Sequence, residues 1–182
     1  MQVREKDLAL ATCSHELRTP LNGILNMLTM IQANPQERER YIKIAQLSAK
    51  LMISLVNDML DFSSILANKF VPKVRLFDLC EAVNEAADLL RFLIEEKGLQ
   101  LSVRIANTLP RSIITDKDRL TQVILNLLSN AYKYTVEGSI SLEIEAGETL
   151  ERSSGVHEKM LKVSVSDTGI GIQDYDRERL FR

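Results

Sequence analysis

Leu10-Ala11-Thr12-Cys13-Ser14-His15-Glu16-Leu17-Arg18-Thr19-Pro20-Leu21-Asn22-Gly23-Ile24-Leu25-Asn26-Met27-Leu28 decides the first half of the fold. Leu10, Ser14, Leu17, Leu21, Ile24, Leu28 and Ile31 recur by threes and fours, the spacing of a helical bundle seam. The pattern predicts one helix from Arg4 to Ala33. Pro20 sits inside it, removes one backbone donor and predicts a local bend. Asn34-Pro35 is a turn signal. Beyond it Ala45, Ser48, Met52, Leu55, Met59, Phe62 and Leu66 share one face, which predicts a second helix from Gln36 to Asn68. Two long helices on a short turn make an antiparallel hairpin. One hairpin cannot cover both of its apolar stripes, whereas two copies in a four-helix bundle can. A homodimer is therefore expected.

The chain changes character near residue 70. Residues 1–69 read as an all-α hairpin domain, 70–74 as a linker, and 75–182 as a second domain in which strands and helices alternate. Lys73 to Phe77 alternates weakly, like an edge strand. Asp78 is the expected N-cap for a helix over Leu79–Lys97, which Gly98 ends. Strands are expected over Leu99–Ile105, Ile113–Thr115, Gly138–Ala146 and Met160–Val165. A strong helix begins at Asp116 and runs to Tyr134. Gly147 to Glu158 is polar and reads as a loop. The second half is thus an α+β sandwich, a mixed sheet with helices on one side.

Composition sets outer limits. Of 182 residues, 45% are hydrophobic and 26% charged, enough for a real core. A formal net charge of −2 argues against nucleic acid as a partner. No run of 18 apolar residues exists, so no membrane contact is expected within this segment. Met1 to Asp7 is charged and lacks the apolar core of a signal peptide. Cys13 and Cys80 make neither a disulfide framework nor a zinc site. A reducing, cytoplasmic setting is the expectation, compatible with a membrane anchor upstream of residue 1.

Three clusters carry chemistry. His15 lies beside the seam, and a lone surface His is usually only solvated. Here Glu16 adjoins it, and a carboxylate that accepts one imidazole proton makes the opposite nitrogen a better nucleophile. With an ordinary pKa of ~6.5, the ring is substantially neutral near pH 7 and suited to attack on a phosphoryl group. Asn126 and Asn130, four apart on an apolar helix, either hydrogen-bond to neighbouring backbone or form a magnesium site. Mg²⁺ takes oxygen ligands and is completed by water and substrate phosphates. Lys133 could offer a point charge to phosphates and Tyr134 could pack on a base. In Asp167-Thr168-Gly169-Ile170-Gly171-Ile172, two glycines permit close backbone approach. An aspartate fixed at a strand end can accept from the exocyclic amine of adenine, which guanine lacks at that position. No Gly-x-Gly-x-x-Gly opens a helix and no Gly-Lys-Ser/Thr occurs, so no Rossmann or Walker reading competes.

Ser14-His15-Glu16-Leu17-Arg18-Thr19-Pro20-Leu21-Asn22 resembles the phosphoacceptor box of the sensor histidine kinases, especially the subgroup common among hybrid kinases that continues Leu-Asn-Gly-Ile. Asp116 to Thr135 resembles the asparagine box of the same kinases, within the ATP-binding fold shared with gyrase, Hsp90 and MutL. Asp167 to Ile172 resembles their first glycine box. The resemblance implies that His15 is phosphorylated on a ring nitrogen, with Glu16 as general base or orienting acceptor. The residue matching Thr19 positions water in phosphatase action. The resemblance further implies that Asn130 coordinates Mg²⁺ and Asn126 lines the same site. Lys133 and Tyr134 contact ATP, Asp167 recognises adenine, and Thr168, Gly169 and Gly171 support the base. The implied next step passes the phosphoryl group to an aspartate on the receiver domain of a response regulator, or on a hybrid kinase's own receiver.

The family pattern continues with a Phe-containing box, a lid and a second glycine-rich segment. Arg179-Leu180-Phe181-Arg182 resembles the opening of the Phe box. The seven glycines are 23, 98, 138, 147, 155, 169 and 171, and none remains for a second glycine box. On this pattern the ATP-binding sandwich is expected to be truncated at its C-terminus, and these 182 residues to bind ATP weakly and label His15 poorly. The alternative function is then an impaired dimerisation and phosphotransfer scaffold, in which His15 accepts phosphate from an intact partner. A non-kinase ATPase leaves the His15 box without a role.

Overall fold

The computed structural model describes residues 2–151 and 157–173, with side chains described over 17–148 and 159–173. The chain divides into two compact units, Met1–Pro72 and Lys73–Arg182.

The first unit is a helical hairpin. α1 spans Gln2–Ala33 and runs through Pro20 without a break. Since Pro20 has no N–H, the carbonyl one turn back, at residue 16, loses its helical donor. The connection is longer than the sequence suggests: Pro35–Glu37 forms a single 3₁₀ turn, so that α2, Arg38–Leu66, starts two residues after Gln36 and ends two before Asn68. Proline at the first helical position supplies the fixed φ that starts the 3₁₀ turn. Leu47 is the buried centre of the hairpin, and Leu17, Ile24, Met27 and Ile31 of α1 turn partly inward. Two residues of the expected seam do not: Leu21 is 45% and Leu28 51% exposed. On α2, Phe62 and Leu66 are also exposed. The apolar stripe is wider than one partner helix can cover, and these residues form its outer edge.

The second unit has two sheets. β1 (Arg75–Asp78) pairs antiparallel with β3 (Ser112–Thr115). The larger sheet is mixed, in the order β2-β4-β5. β2 (Gln100–Ile105) lies parallel to β4 (Ser139–Glu151), and β4 antiparallel to β5 (His157–Asp167). Parallel pairing needs a crossover, and α4 (Lys117–Tyr134) lies within it. α3 (Leu79–Glu96) packs beside α4 and on β2.

Alternation builds the core. Ile140, Leu142 and Ile144 are fully buried on one face of β4 and stand opposite Leu101, Val103 and Ile105. The helices answer with Leu79, Val83, Leu90 and Ile94 from α3 and Ile124 and Leu128 from α4, all fully buried. On the other face Arg104 pairs with Glu143 at 3.0 Å, and Lys162 with Glu145 at 3.7 Å. Asp78 caps α3 by accepting from the Glu81 N–H at 3.0 Å, and also accepts from Arg111 Nε at 2.7 Å. That guanidinium, with the capping N–H, holds its carboxyl below the usual carboxylate range. Lys97 Nζ donates to the Tyr132 carbonyl at 2.8 Å and ties the ends of α3 and α4.

One expectation is corrected. Gly147 to Glu158 is not simply a loop: β4 continues to Glu151 and β5 begins at His157, with Thr149 opposite Lys159 and Glu151 opposite His157. The register shifts between Ala146 and Thr149. The ladder resumes beyond this bulge because strand pairing is made by backbone groups and does not need an apolar face.

Candidate functional site

The site in the second unit is built where α4 ends and β5 ends. α4 starts at its N-cap Asp116, whose side chain accepts from the Asp118 and Arg119 N–H groups. It buries Ile124, Leu125, Leu128 and Ala131 against the core. Its other side is exposed and carries Asn126 and Asn130, one turn apart, with Val123 and Leu127 beside them. Among the described residues neither Asn side chain makes a hydrogen bond, so both amides are open to a ligand. Lys133 and Tyr134 form the last turn, with Lys133 Nζ 5.0 Å from the centre of the Tyr134 ring.

β5 delivers the acid. Val163 and Val165 face the helices, and Asp167 is the next residue of that alternation. Asp167 is exposed, and its carboxylate stands at the edge of that layer, beside the end of α4. Asp167 Oδ1 accepts from the Gly169 N–H at 2.8 Å and from Thr135 Oγ1 at 3.4 Å. Thr135 is fully buried and its N–H donates to the Ala131 carbonyl at 3.0 Å. One carboxylate oxygen is thus fixed, and the other is free to accept. The Ile170 N–H donates to the Tyr134 carbonyl at 3.3 Å, which seats the loop on the helix end. No room exists there for a side chain: a Cβ on Gly169 would overlap the Tyr134 carbonyl oxygen.

Thr168 does something other than face outward. Its Oγ1 donates to the Glu137 carbonyl at 3.1 Å and accepts from the Ser139 N–H at 3.0 Å. The hydroxyl proton is spent inside the protein, holding the turn around Gly138. Gly171 is exposed with φ +69°.

The structure therefore brings Tyr134, Thr135, Asp167 and Gly169 together at the end of α4, with Thr168 on the adjoining turn, while Lys133, Asn130 and Asn126 follow back along the exposed side of the same helix. His15, Glu16 and Thr19 belong to the other unit, on α1. Thr19 is exposed, while the His15 and Glu16 side chains lie outside the described residues. So does the Phe-box resemblance at 179–182. Sequence reasoning missed Thr135 as a partner of Asp167. Its only signal was a β-branched hydroxyl residue closing an apolar helix.

The donor set suits a nucleotide with a hard cation. Neutral amide oxygens on an exposed helix face can share a cation with phosphates without adding charge repulsion. Among the described residues no cluster of three His, Cys, Asp or Glu could hold a metal alone. A metal here would need phosphate oxygens to complete its shell.

Comparison with known proteins agrees with the geometry. Residues 5–68 match the family model of the His Kinase A (phospho-acceptor) domain. Residues 115–182 match that of the histidine kinase-, DNA gyrase B- and HSP90-like ATPase. The signal transduction histidine-protein kinase BarA of Escherichia coli K12 is 35% identical over 182 residues, covering 98% of this chain and 19% of BarA. The autoinducer 2 sensor kinase/phosphatase LuxQ of Vibrio cholerae is 36% identical over 174 residues, covering 94% of this chain and 20% of LuxQ. The chain spans about a fifth of the length of these curated relatives. Among solved structures, full-length ShkA in complex with AMPPNP aligns with a TM-score of 0.58 at 29% identity, over 96% of this chain and 36% of ShkA. The Acinetobacter baumannii histidine kinase AdeS shares the fold, with a TM-score of 0.56 at 21% identity over 92% of this chain and 78% of AdeS. The chain carries the two domains of the sensor histidine kinases, a His Kinase A phosphoacceptor domain on a helical hairpin followed by a histidine kinase-, DNA gyrase B- and HSP90-like ATPase domain on an α/β sheet.

Proposed function

We propose that this chain, as a homodimer, transfers the γ-phosphoryl group of Mg-ATP to His15 and passes it to an aspartate of a receiver domain. One observation carries the nucleotide half. Asp167 ends the inward face of β5 with one oxygen fixed by Gly169 and Thr135, at the end of the helix that bears Asn130. Its second oxygen accepts from the adenine amine. Thr168 keeps the turn in place, and Gly169 and Gly171 let the backbone approach the base. Asn130 ligates the magnesium, Asn126 lines the same site, and Lys133 and Tyr134 contact the nucleotide. Bound Mg-ATP supplies the phosphoryl group and neutralises its charge. The match of residues 115–182 to the ATPase family model supports this reading, as does the related ShkA, solved with AMPPNP.

On the hairpin, Glu16 accepts one ring proton of His15 and leaves the opposite nitrogen free to attack. A nitrogen–phosphorus bond forms as the bond to the departing ADP oxygen breaks. Thr19 would orient water when the phosphoryl group is hydrolysed instead.

The direct test is to label the intact protein with γ-labelled ATP. The label is expected to be alkali-stable and acid-labile, to map to His15, and to chase onto an added receiver domain. Label on a hydroxyl side chain, or none on His15, refutes the reading. Label that enters His15 only after adding a second kinase reduces this chain to a phosphoryl acceptor.

The dimer rests on the outer stripe of the hairpin. Ile53 is 60% exposed beside Leu17, Leu21, Met52 and Val56, which line an open apolar groove. Covering it twice, once per copy, is worth ~1 kcal/mol per side chain. Ile53→Ala is expected to weaken dimerisation about thirty-fold, read by analytical ultracentrifugation. An unchanged dissociation constant would place the interface elsewhere.

A further inference from the structure

Among the described residues only Asp116 and Thr135 are polar and buried. Thr135 belongs to the site already described; Asp116 does not. Its two oxygens do different work. Oδ1 caps α4, accepting from the Asp118 N–H at 3.1 Å and the Arg119 N–H at 3.2 Å. Oδ2 accepts from the backbone N–H of Lys73 at 2.7 Å. Lys73 is the first residue of the second unit. Two residues further on, Arg75 Nη2 donates to Asp118 Oδ1 at 2.7 Å, again on the first turn of α4. Lys117 Nζ pins the same turn to Glu85 of α3 at 2.7 Å.

A cap needs one oxygen, and Ser, Thr or Asn would serve as well. The second oxygen is what this position adds. It joins the chain entering the ATPase unit to the helix that carries Asn126 and Asn130. α4 is a rod of 18 residues, about 27 Å long at 1.5 Å per residue. Asn126 and Asn130 lie about 15 and 21 Å along it from the cap. α4 is also held by its buried face and by Lys97 near its far end, so a shift at this anchor tilts it only slightly, but a small misplacement of positioning groups costs rate steeply.

We infer that Asp116 is a positioning residue for phosphoryl transfer: through the Lys73 N–H it sets where α4, and with it Asn126 and Asn130, stands relative to the entering chain. The inference rests on the kinase reading above. Asp116 acts through the helix and is not a catalytic residue.

The two halves of its work can be separated. Asp116→Asn keeps one oxygen for the cap and replaces the other acceptor by an NH₂ group. Lys73→Pro removes the donor and leaves Asp116 intact, whereas Lys73→Ala keeps the donor and serves as control. Three readouts are taken on the intact protein: amide hydrogen exchange, affinity for a fluorescent ATP analogue, and the initial rate of His15 labelling at saturating ATP. In Asp116→Asn the Lys73 amide is expected to lose protection. α4 protection and nucleotide affinity should stay within about twofold in both variants, while labelling slows about tenfold. Lys73→Ala should label like wild type, and the double variant no more slowly than either single one. Wild-type labelling rates in both variants, with the Lys73 amide exposed in Asp116→Asn, overturn the inference. So does parallel loss of α4 protection and affinity, which would make Asp116 a cap alone. Absence of wild-type labelling overturns the kinase reading, and this inference with it.

Discussion

Gly169→Ala is expected to abolish nucleotide binding while leaving the helical hairpin intact. A Cβ at residue 169 would overlap the Tyr134 carbonyl oxygen and stand 2.8 Å from Asp167 Oδ1 and 2.9 Å from the Tyr134 carbonyl carbon. Two of those atoms are backbone and the third belongs to a carboxylate already held by two donors. No rotamer change relieves the overlap, so the loop must lift from the end of α4. It then loses the Gly169 N–H to Asp167 bond and the Ile170 N–H to Tyr134 bond. Each is worth ~1 kcal/mol, and a polar group left unpaired costs more. Freed of Gly169, the Asp167 carboxylate no longer presents its open oxygen in one direction. Together these effects predict a fall in ATP affinity of at least about 100-fold. Isothermal titration calorimetry measures it, with far-ultraviolet circular dichroism as the control for folding. Affinity within fivefold of wild type would show that this loop does not hold the base.

Gly138→Ala strikes the other side of the same joint, and its effect is on stability. Gly138 has φ +107°, a region that L residues rarely adopt, and strain there costs ~1–2 kcal/mol. A Cβ would also overlap Thr168 Oγ1 and lie 3.2 Å from Thr168 Cβ. That hydroxyl bridges Glu137 and Ser139, and the Thr168 N–H donates to the Ser139 carbonyl at 3.2 Å. Displacing it removes bonds worth ~1 kcal/mol each. The sum is about 3 kcal/mol, a fall in Tm of about 15 °C for a unit of this size. Calorimetry of the variant checks the shift. Removing the obstacle in Gly138→Ala/Thr168→Ala should cost less than the two single changes added together, since the overlap cannot be lost twice. Strict additivity would mean that the two residues do not meet.

The sequence made the helices legible because their signals are local. Leu17, Ile24 and Ile31 repeat at helical spacing, and Asp78 and Asp116 cap α3 and α4 through their own side chains. The inward alternation of Leu101, Val103, Ile140, Leu142 and Val163 likewise predicts its own strands. What sequence spacing does not carry is position in space. Nothing local places Thr135 under Asp167, which lies 32 residues away, or gives the second oxygen of Asp116 to Lys73, which lies 43 residues away. The outer arm of β4 and β5 was hidden for a different reason. Its pairs, such as Thr149 with Lys159 and Glu151 with His157, lack the apolar alternation of a buried strand, and a ladder made by backbone alone leaves little trace in side-chain pattern. The split of the hairpin stripe into inner and outer edges was hidden too. Leu21 and Leu28 have the chemistry of core residues, and only packing decides which stay exposed.

The sheet order also sets an order of assembly. β4 and β5 are neighbours in both sequence and sheet, so their pairing closes a short loop and forms early. β2 joins β4 only across an intervening β3 and α4, a long closure whose entropy must be met before the contact repays it. Asp167, at the open end of this hairpin opposite Ile140, therefore has its strand partner before α4 is docked above it. During folding Asp167 is then in place before its support at Thr135, and on the proposed reading the nucleotide is a late ligand that favours the docked helix. Added nucleotide would then slow unfolding of this unit more than it speeds folding, because its contacts span elements that meet last.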